Sequence, residues 1–154
     1  MRWLDADEQR AWRAWLDAHA HLSARLNREL QATSGLSLPD YDVLVHLTDV
    51  PDGRLRAFEL GKGLEWEKSR VSRQVGRMAD RGLVTKEASP EDGRGAYVAI
   101  TAAGRHALEE AAPAHVELVR QLVFDGLTPA QVRAVSSVAL SVLSRLDGDG
   151  TSSS

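Results

Sequence analysis

Cationic side chains in the middle of the chain have the spacing expected of a surface that binds a polyanion. Arg70, Arg73, Arg77 and Arg81 recur at steps of three and four, which places them on one side of a helix. Small residues such as Ser69 lie beside them, so the front of this helix is not bulky. A major groove admits such a helix, whose Ser hydroxyls bond phosphates or bases and whose Arg side chains fork onto guanine. The pattern predicts groove contacts by Lys68, Ser69, Arg70, Ser72, Arg73, Gln74 and Arg77.

Charge is segregated along the chain in a way that supports this interpretation. Residues 54–105 carry eleven Lys and Arg against seven Asp and Glu, a net charge of +4, whereas the whole protein has a formal net charge of −3. A phosphate lattice responds to the local potential and not to the global charge. A basic segment in an otherwise acidic chain therefore favours double-stranded DNA as a partner. A helix face that is merely solvated would show the same charge count.

Composition restricts the remaining classes of protein. With 154 residues, 43% of them apolar, the chain is long enough for one folded domain with a real core. Having no Cys excludes disulfides, thiolate zinc sites and thiol redox switches. No apolar stretch is long enough for a signal peptide or a membrane span, so we expect a cytoplasmic protein with no membrane partner.

Catalytic motifs are missing from the sequence. There is no nucleophile paired with a base, no paired carboxylates with a reason to be perturbed, and Gly61-Lys62-Gly63 lacks the spacing of a phosphate-binding loop. We therefore expect no enzyme activity and no cofactor. One alternative is a metal-responsive regulator, because His106 and Glu110 lie one helical turn apart and need only a third ligand. A protein-binding module that does not bind DNA is the other alternative.

Hydrophobic periodicity and capping residues predict a mainly α-helical fold with a small β-hairpin. The predicted helices cover residues 5–33, a segment from a Ser37 cap through Leu47, residues 57–63, the cationic segment from Glu67, a Thr101-capped helix to Leu122, and a Thr128-capped helix to Leu146. Residues 147–154 are polar and Gly-rich, which predicts a disordered tail.

Two short strands are predicted after the cationic helix, over residues 83–87 and 97–100, where β-branched and aromatic residues are enriched. The loop between them contains Pro90, Asp92, Gly93 and Arg94 and is too long for a tight turn. A projecting loop with an Arg near its tip is typical of the wing of a winged helix-turn-helix domain.

Residues 36–108 resemble the winged helix-turn-helix of the MarR family of bacterial transcriptional regulators. The resemblance lies in residues 38–44, residues 60–84 ending in Arg-Gly-Leu-Val, and the Pro-Glu-Asp-Gly-Arg wing that leads to residues 100–105. It implies a homodimer that places two recognition helices in successive major grooves of a pseudo-palindromic operator. It also implies that Arg94 enters the minor groove and that Asp92 steadies it. Gly93 and Glu67 depart from the family pattern, which commonly has a second wing cation and a Ser, Thr or Asp helix cap.

The outer helices carry apolar stripes that a small winged domain does not need. We interpret residues 5–34 and 105–146 as dimerisation helices and residues 36–104 as the DNA-binding region of a single unit. Members of the family that this chain resembles often act as repressors relieved by a small aromatic or phenolic ligand. The site for such a ligand would be lined here by Trp15, His19, Tyr41 and His46. Each His is also compatible with simple core packing.

Overall fold

The chain forms six α-helices and three short strands in a computed structural model that describes residues 1–88 and 96–150. The helices are α1 Ala6–Ser34, α2 Leu38–Thr48, α3 Ala57–Leu64, α4 Lys68–Asp80, α5 Ala102–Val119 and α6 Pro129–Gly150, and the strands are β1 Arg54–Arg56, β2 Val84–Ala88 and β3 Ala96–Ile100. The predicted mainly α-helical architecture with a small hairpin is confirmed. By its contacts the chain divides into two compact units, Met1–His115 and Val116–Ser154.

Capping residues begin the helices where the sequence predicted them. The hydroxyl of Ser37 accepts a hydrogen bond from the backbone N–H of Asp40 at 3.1 Å, and the carboxylate of Asp40 accepts one from the N–H of Ser37 at 2.9 Å. The same reciprocal pattern joins Thr128 to Gln131. These capping boxes satisfy N–H groups that have no partner inside the helix.

The sheet contains one strand that the sequence analysis missed. β3 lies in the centre, antiparallel to both β1 and β2. β1 has only three residues, too few for the alternation that identifies a strand. It is held because Arg54, Leu55 and Arg56 pair with Ala99, Val98 and Tyr97 of a strand more than forty residues away in sequence.

The core of the first unit is built around α2 and α4. Its most completely buried side chains come from the end of α1 through β3 and include Leu30, Leu36, Leu44, Leu47, Leu60, Met78, Val43, Val84 and Val98. Gly35 ends α1 in the left-handed conformation, with φ of 71°, which favours Gly because a side chain strains this region. This turn lets Leu36 enter the core one residue later.

The chain differs from the prediction at the end of α5 and in α6. The predicted continuation of α5 to Leu122 becomes a π-helical turn over Arg120–Phe124, in which Asp125 N–H donates to the carbonyl of Arg120 at 2.8 Å. α6 continues to Gly150, so the predicted disorder from residue 147 is wrong as far as Gly150, because a helix extends by its own backbone bonds without burying side chains. Residues 151–154 lie outside the described part. No described helix is long and apolar enough to cross a membrane.

Candidate nucleic-acid interface

A tight turn sets α4 against α3. α3 ends at Leu64, and Glu65 has the left-handed φ of 56° that reverses the chain. The backbone N–H of Trp66 then donates to the carbonyl of Gly61 at 2.9 Å. A Cβ on Gly61 would lie 3.0 Å from both the Trp66 carbonyl oxygen and a methyl group of Val71, so the two helices approach closely at this point. The result is a helix-turn-helix in which α4 is the second helix.

The two sides of α4 are chemically distinct. Val71, Val75 and Met78 are buried against the core. The opposite side is exposed and carries Lys68, Ser69, Arg70, Ser72, Arg73 and Arg77, six of the seven helix residues predicted to contact DNA. No acidic residue lies between Lys68 and Ala79, so this face has one sign of charge over three turns.

Gln74 is the exception, because the outward position predicted for it is wrong. Its side chain is buried and its Nε2 donates to Oδ1 of Asp40 at 2.6 Å. Gln74 lies three residues after Val71 and four before Met78, which places it on the buried stripe of the helix. The carboxylate of Asp40 supplies the polar partner that a buried amide needs. The partner belongs to another helix, so the sequence offered no signal for it.

Several cations of α4 are held by neighbours. The guanidinium of Arg70 lies 4.3 Å from the centre of the Trp66 ring, a cation–π contact. Nη2 of Arg77 donates to Oε1 of Gln74 at 2.9 Å. By contrast, Arg73 makes no hydrogen bond or ion pair within residues 1–88 and 96–150 and is exposed. These cations therefore differ in the freedom with which each meets a ligand.

Comparison with known proteins identifies the fold that carries this surface. A family model described as the MarR family matches residues 34–95. The HTH-type transcriptional repressor IacR of Pseudomonas putida is 31% identical over 134 residues, 86% of this chain and 78% of the relative. Sco3205, a MarR family transcriptional regulator from Streptomyces coelicolor solved in complex with DNA, is 39% identical, with a TM-score of 0.88 over 93% of this chain and 90% of its own. This chain belongs to the MarR family.

A second solved MarR family transcriptional regulator from Streptomyces coelicolor, AbsC, extends the likeness to nearly the full length of both proteins. It is 33% identical, covers 96% of this chain and 99% of its own, and superposes with a TM-score of 0.88. The chain is thus a MarR family transcriptional regulator, and the winged helix-turn-helix predicted from its sequence is confirmed as its fold.

The wing of this MarR protein is described only at its base. Asp92 and Arg94, predicted to support and to form the minor-groove contact, lie outside the described residues, as does Gly93. At the base, the guanidinium groups of Arg54 and Arg56 lie 4.6 and 4.7 Å from the centre of the Tyr97 ring. Arg54 also forms an ion pair of 3.3 Å with Glu87. These two cations were not predicted from the sequence, because β1 was not recognised.

The four residues predicted to line a ligand site do not meet around either cavity of the described residues. Trp15 and His19 are exposed on the first half of α1. Tyr41 packs against His115, with ring centres 4.3 Å apart, and Nδ1 of His46 is 2.9 Å from the carbonyl oxygen of Asp42. None of the four lines either of two cavities found among the described residues, one between α1, α2 and α4 and the other between α3, α4 and the sheet.

Burial perturbs the titratable groups around Tyr41. It raises the pKa of Asp42 above the ordinary 3.8, although His46 and His115 act in the opposite direction. It lowers the pKa of His115 below the ordinary 6.5, and raises that of Tyr41 above 10.0. Nδ1 of His115 is buried without a hydrogen-bond partner in the described structure. His115 is thus part of this cluster, which sequence analysis missed because the residue is distant in the chain.

The pair considered as a metal site is a side-chain contact on the surface of α5. Nε2 of His106 lies 3.1 Å from Oε1 of Glu110, and both side chains are about 70% exposed. Within the part of the chain that the structure describes, no group of three or more His, Asp or Glu residues is arranged to hold a metal ion. The pair has the geometry of an ordinary helix-surface contact between residues four apart.

Proposed function

We propose that this MarR family regulator binds a pseudo-palindromic operator in double-stranded DNA as a homodimer and represses transcription from it. The observation that carries the proposal is the exposed face of α4, where Lys68, Arg70, Arg73 and Arg77 alternate with two Ser residues while the opposite side is buried. A helix with a cationic, unobstructed front fits the major groove. The likeness to Sco3205, which was solved with DNA, supports it.

The start of α4 also suits a phosphate. Glu67 occupies the N-cap but its side chain makes no capping hydrogen bond. First-turn N–H groups of a helix bind anions when no side chain caps them. Lys68 and Ser69 follow directly and are exposed. We infer that this end of α4 contacts the DNA backbone, whereas Arg73, one turn further along, contacts base edges.

Unpaired apolar surface in both units supports the homodimer. Among the described residues, fifteen of the sixteen strongly exposed large apolar side chains lie in residues 1–16 or 116–146, and Phe58 is the other. Leu140 and Leu146 are more than 60% exposed, and α6 has no buried residue. A monomer does not expose such continuous apolar stripes, and a two-fold interface between identical copies would cover them.

The wing and the ligand complete the proposal. Arg94, steadied by Asp92, would enter the minor groove beside each half-site, and Arg54 at the base of the wing would add to the attraction for the phosphates. A small aromatic ligand that releases the DNA would bind near Tyr41 and His46, with Trp15 and His19 as the further predicted lining residues. Repression is supported by IacR, the Pseudomonas putida relative that is named a transcriptional repressor.

Selection of a bound duplex from random-sequence DNA by the full-length protein tests the function directly. We expect an enriched sequence with two inverted half-sites whose centres are about 10 base pairs apart, one helical turn, as required by two recognition helices related by a two-fold axis. Affinity for that duplex should fall steeply with salt. Recovery of no enriched sequence, or of a single half-site bound by a monomer, would contradict the proposal.

A further inference from the structure

A buried carboxylate connects three segments of the winged domain. Asp40 is only 5% exposed, and its Oδ2 accepts hydrogen bonds from the N–H of Ser37 at 2.9 Å and from Nη1 of Arg81 at 2.8 Å. Its Oδ1 accepts one from Nε2 of Gln74 at 2.6 Å. The second terminal nitrogen of Arg81 donates to the carbonyl of Gly35 at 2.9 Å. The carboxylate therefore ties the end of α1 and the start of α2 to α4.

The chemistry of the partners determines which way the amide of Gln74 points. A carboxylate only accepts hydrogen bonds and a guanidinium only donates them, whereas an amide does both. The NH₂ group of Gln74 must therefore face Asp40, which leaves its oxygen to accept from Nη2 of Arg77 at 2.9 Å. The buried carboxylate therefore determines that Gln74 presents a hydrogen-bond acceptor, its amide oxygen, to Arg77 on the exposed side of the helix.

This arrangement reduces the conformational freedom of the Arg77 side chain in the unbound protein. Arg is among the side chains that lose most rotamer freedom when they are ordered. A hydrogen bond to a buried and fixed amide limits that freedom in the unbound protein, so less is lost on binding. Arg77 is nevertheless exposed and borders an open cavity of about 670 Å³ between α1, α2 and α4, so its remaining donors are free to meet a phosphate or a base.

We propose that Asp40 and Gln74 are positioning residues for DNA recognition, forming a hydrogen-bond relay that orients the guanidinium of Arg77 toward the operator. This inference rests on the proposed DNA-binding function. The relay acts from the domain interior, so neither Asp40 nor Gln74 touches DNA. Arg73 on the same helix lies outside the relay and provides the matched comparison.

Exchange of the two polar groups tests the direction of the relay. In Asp40→Asn, the new NH₂ group would turn the Gln74 amide around, so that two donors meet at Arg77 and the guanidinium is displaced. We expect about a tenfold loss of affinity for the selected duplex. In the double variant Asp40→Asn with Gln74→Glu, Asn donates and Glu accepts, so every hydrogen bond is restored and net charge is unchanged. Affinity should return to within about twofold of the wild type.

A second arm asks whether the effect passes through Arg77. Asp40→Asn should weaken binding further by less than about twofold when Arg77 is already Ala, but by its full factor when Arg73 is Ala. Thermal unfolding of each variant checks the fold. Should Asp40→Asn not fold, Gln74→Met, which keeps the volume and removes the relay, replaces it in the same comparison.

The outcomes separate the two proposals. If the wild-type protein enriches no duplex, the DNA-binding function fails. If it binds, but folded Asp40→Asn or its Gln74→Met replacement weakens binding equally with and without Arg77, then the residues are merely structural and the relay is overturned. Loss of binding that the folded double variant does not recover overturns it as well.

Discussion

Arg73 is the arginine of α4 whose side chain is least constrained by the described residues. Arg70 is stacked on Trp66 and Arg77 is bound by Gln74, whereas Arg73 is exposed and makes no hydrogen bond or ion pair with a described residue. An exposed guanidinium that has no partner among the described residues is suited to a bidentate contact with guanine. Specificity should therefore depend on this residue more than on its neighbours.

Replacement of Arg73 by Ala should weaken binding to the selected operator by about 1–3 kcal/mol and relax the preference at one base pair of each half-site. Competition binding across all single-base variants of the operator measures both effects. Arg133→Ala, which removes an exposed cation from α6, is the control and should leave the base preferences unchanged. A uniform loss across all sequences would assign Arg73 to a phosphate instead.

His115 links stability to pH through its burial. Burial lowers the pKa of the folded-state imidazole below 6.5, so the unfolded chain takes up a proton in a range where the folded protein resists it. The contribution to stability is complete above the unfolded value of 6.5 and is lost as the pH falls through the folded pKa. The raised pKa of Asp42 has the opposite sign, because its contribution is present below the unfolded value of 3.8 and is lost as the pH rises through the folded pKa.

We expect the free energy of unfolding of the wild type to fall as the pH is lowered from about 6.5 through the folded pKa of His115, and to fall less in His115→Gln, which keeps a polar side chain without a titrating ring. Urea unfolding at several pH values gives both curves. Parallel curves for the two proteins would show that His115 does not cause the dependence.

At the scale of the elements, the contact between α5 and the residue just before β2 permits no side chain at Gly104. A Cβ built there would lie closer to the carbonyl oxygen of Leu83 than any non-bonded contact allows, and 3.0 Å from a carbon of Ile100. Gly76 in α4 is the opposite case, since among the described residues a Cβ would meet only Nζ of Lys86, at an ordinary 3.7 Å. Both glycines lie in helices, but because their surroundings differ we expect substitution by Ala to change stability in opposite directions.

Gly104→Ala should destabilise the protein by about 1–3 kcal/mol, because a backbone oxygen does not move aside as a flexible side chain does. Gly76→Ala should stabilise it by about 0.5–1 kcal/mol, because Ala has the higher helix propensity. Chemical denaturation of both variants measures the difference. Equal stabilisation of both would show that α5 shifts freely against β2.

For the whole molecule, the exposed apolar stripe of α6 predicts a dimer, and DNA affinity should depend on that dimer. Leu140 is 65% exposed, which is unfavourable in a monomer and natural in an interface. The substitution Leu140→Glu would leave an unpaired charge in the interface. It should therefore raise the dimer dissociation constant about a hundredfold or more. DNA affinity should fall with it, because one half-site is lost.

Sedimentation of Leu140→Glu across the micromolar range measures the change. Ala102→Glu is the matched control, since it adds the same charge at an exposed position in the first turn of α5, where an acid is favourable. We expect the control to remain a dimer. A wild type that sediments as a monomer at these concentrations would remove the basis of the homodimer proposal.

The sequence by itself determined where the helices begin, their caps and the family, because those depend on residues close together in the chain. Ser37 and Thr128 begin their helices through residues three positions on, and the stripe of Val71, Val75 and Met78 is visible in its spacing. MarR membership followed from the same local segments and the comparisons confirmed it.

Only the tertiary structure decided how distant residues are paired. From the sequence, Gln74 is predicted to face the groove. In the structure it is buried and bound to Asp40, 34 positions earlier in the chain. β1 is three residues that become a strand only by pairing with β3, and His115 joins Tyr41 across the length of the winged domain. Local spacing specifies which side of an element a residue occupies, but the partner that buries or holds it is supplied by another element, and that choice is made when the whole chain packs.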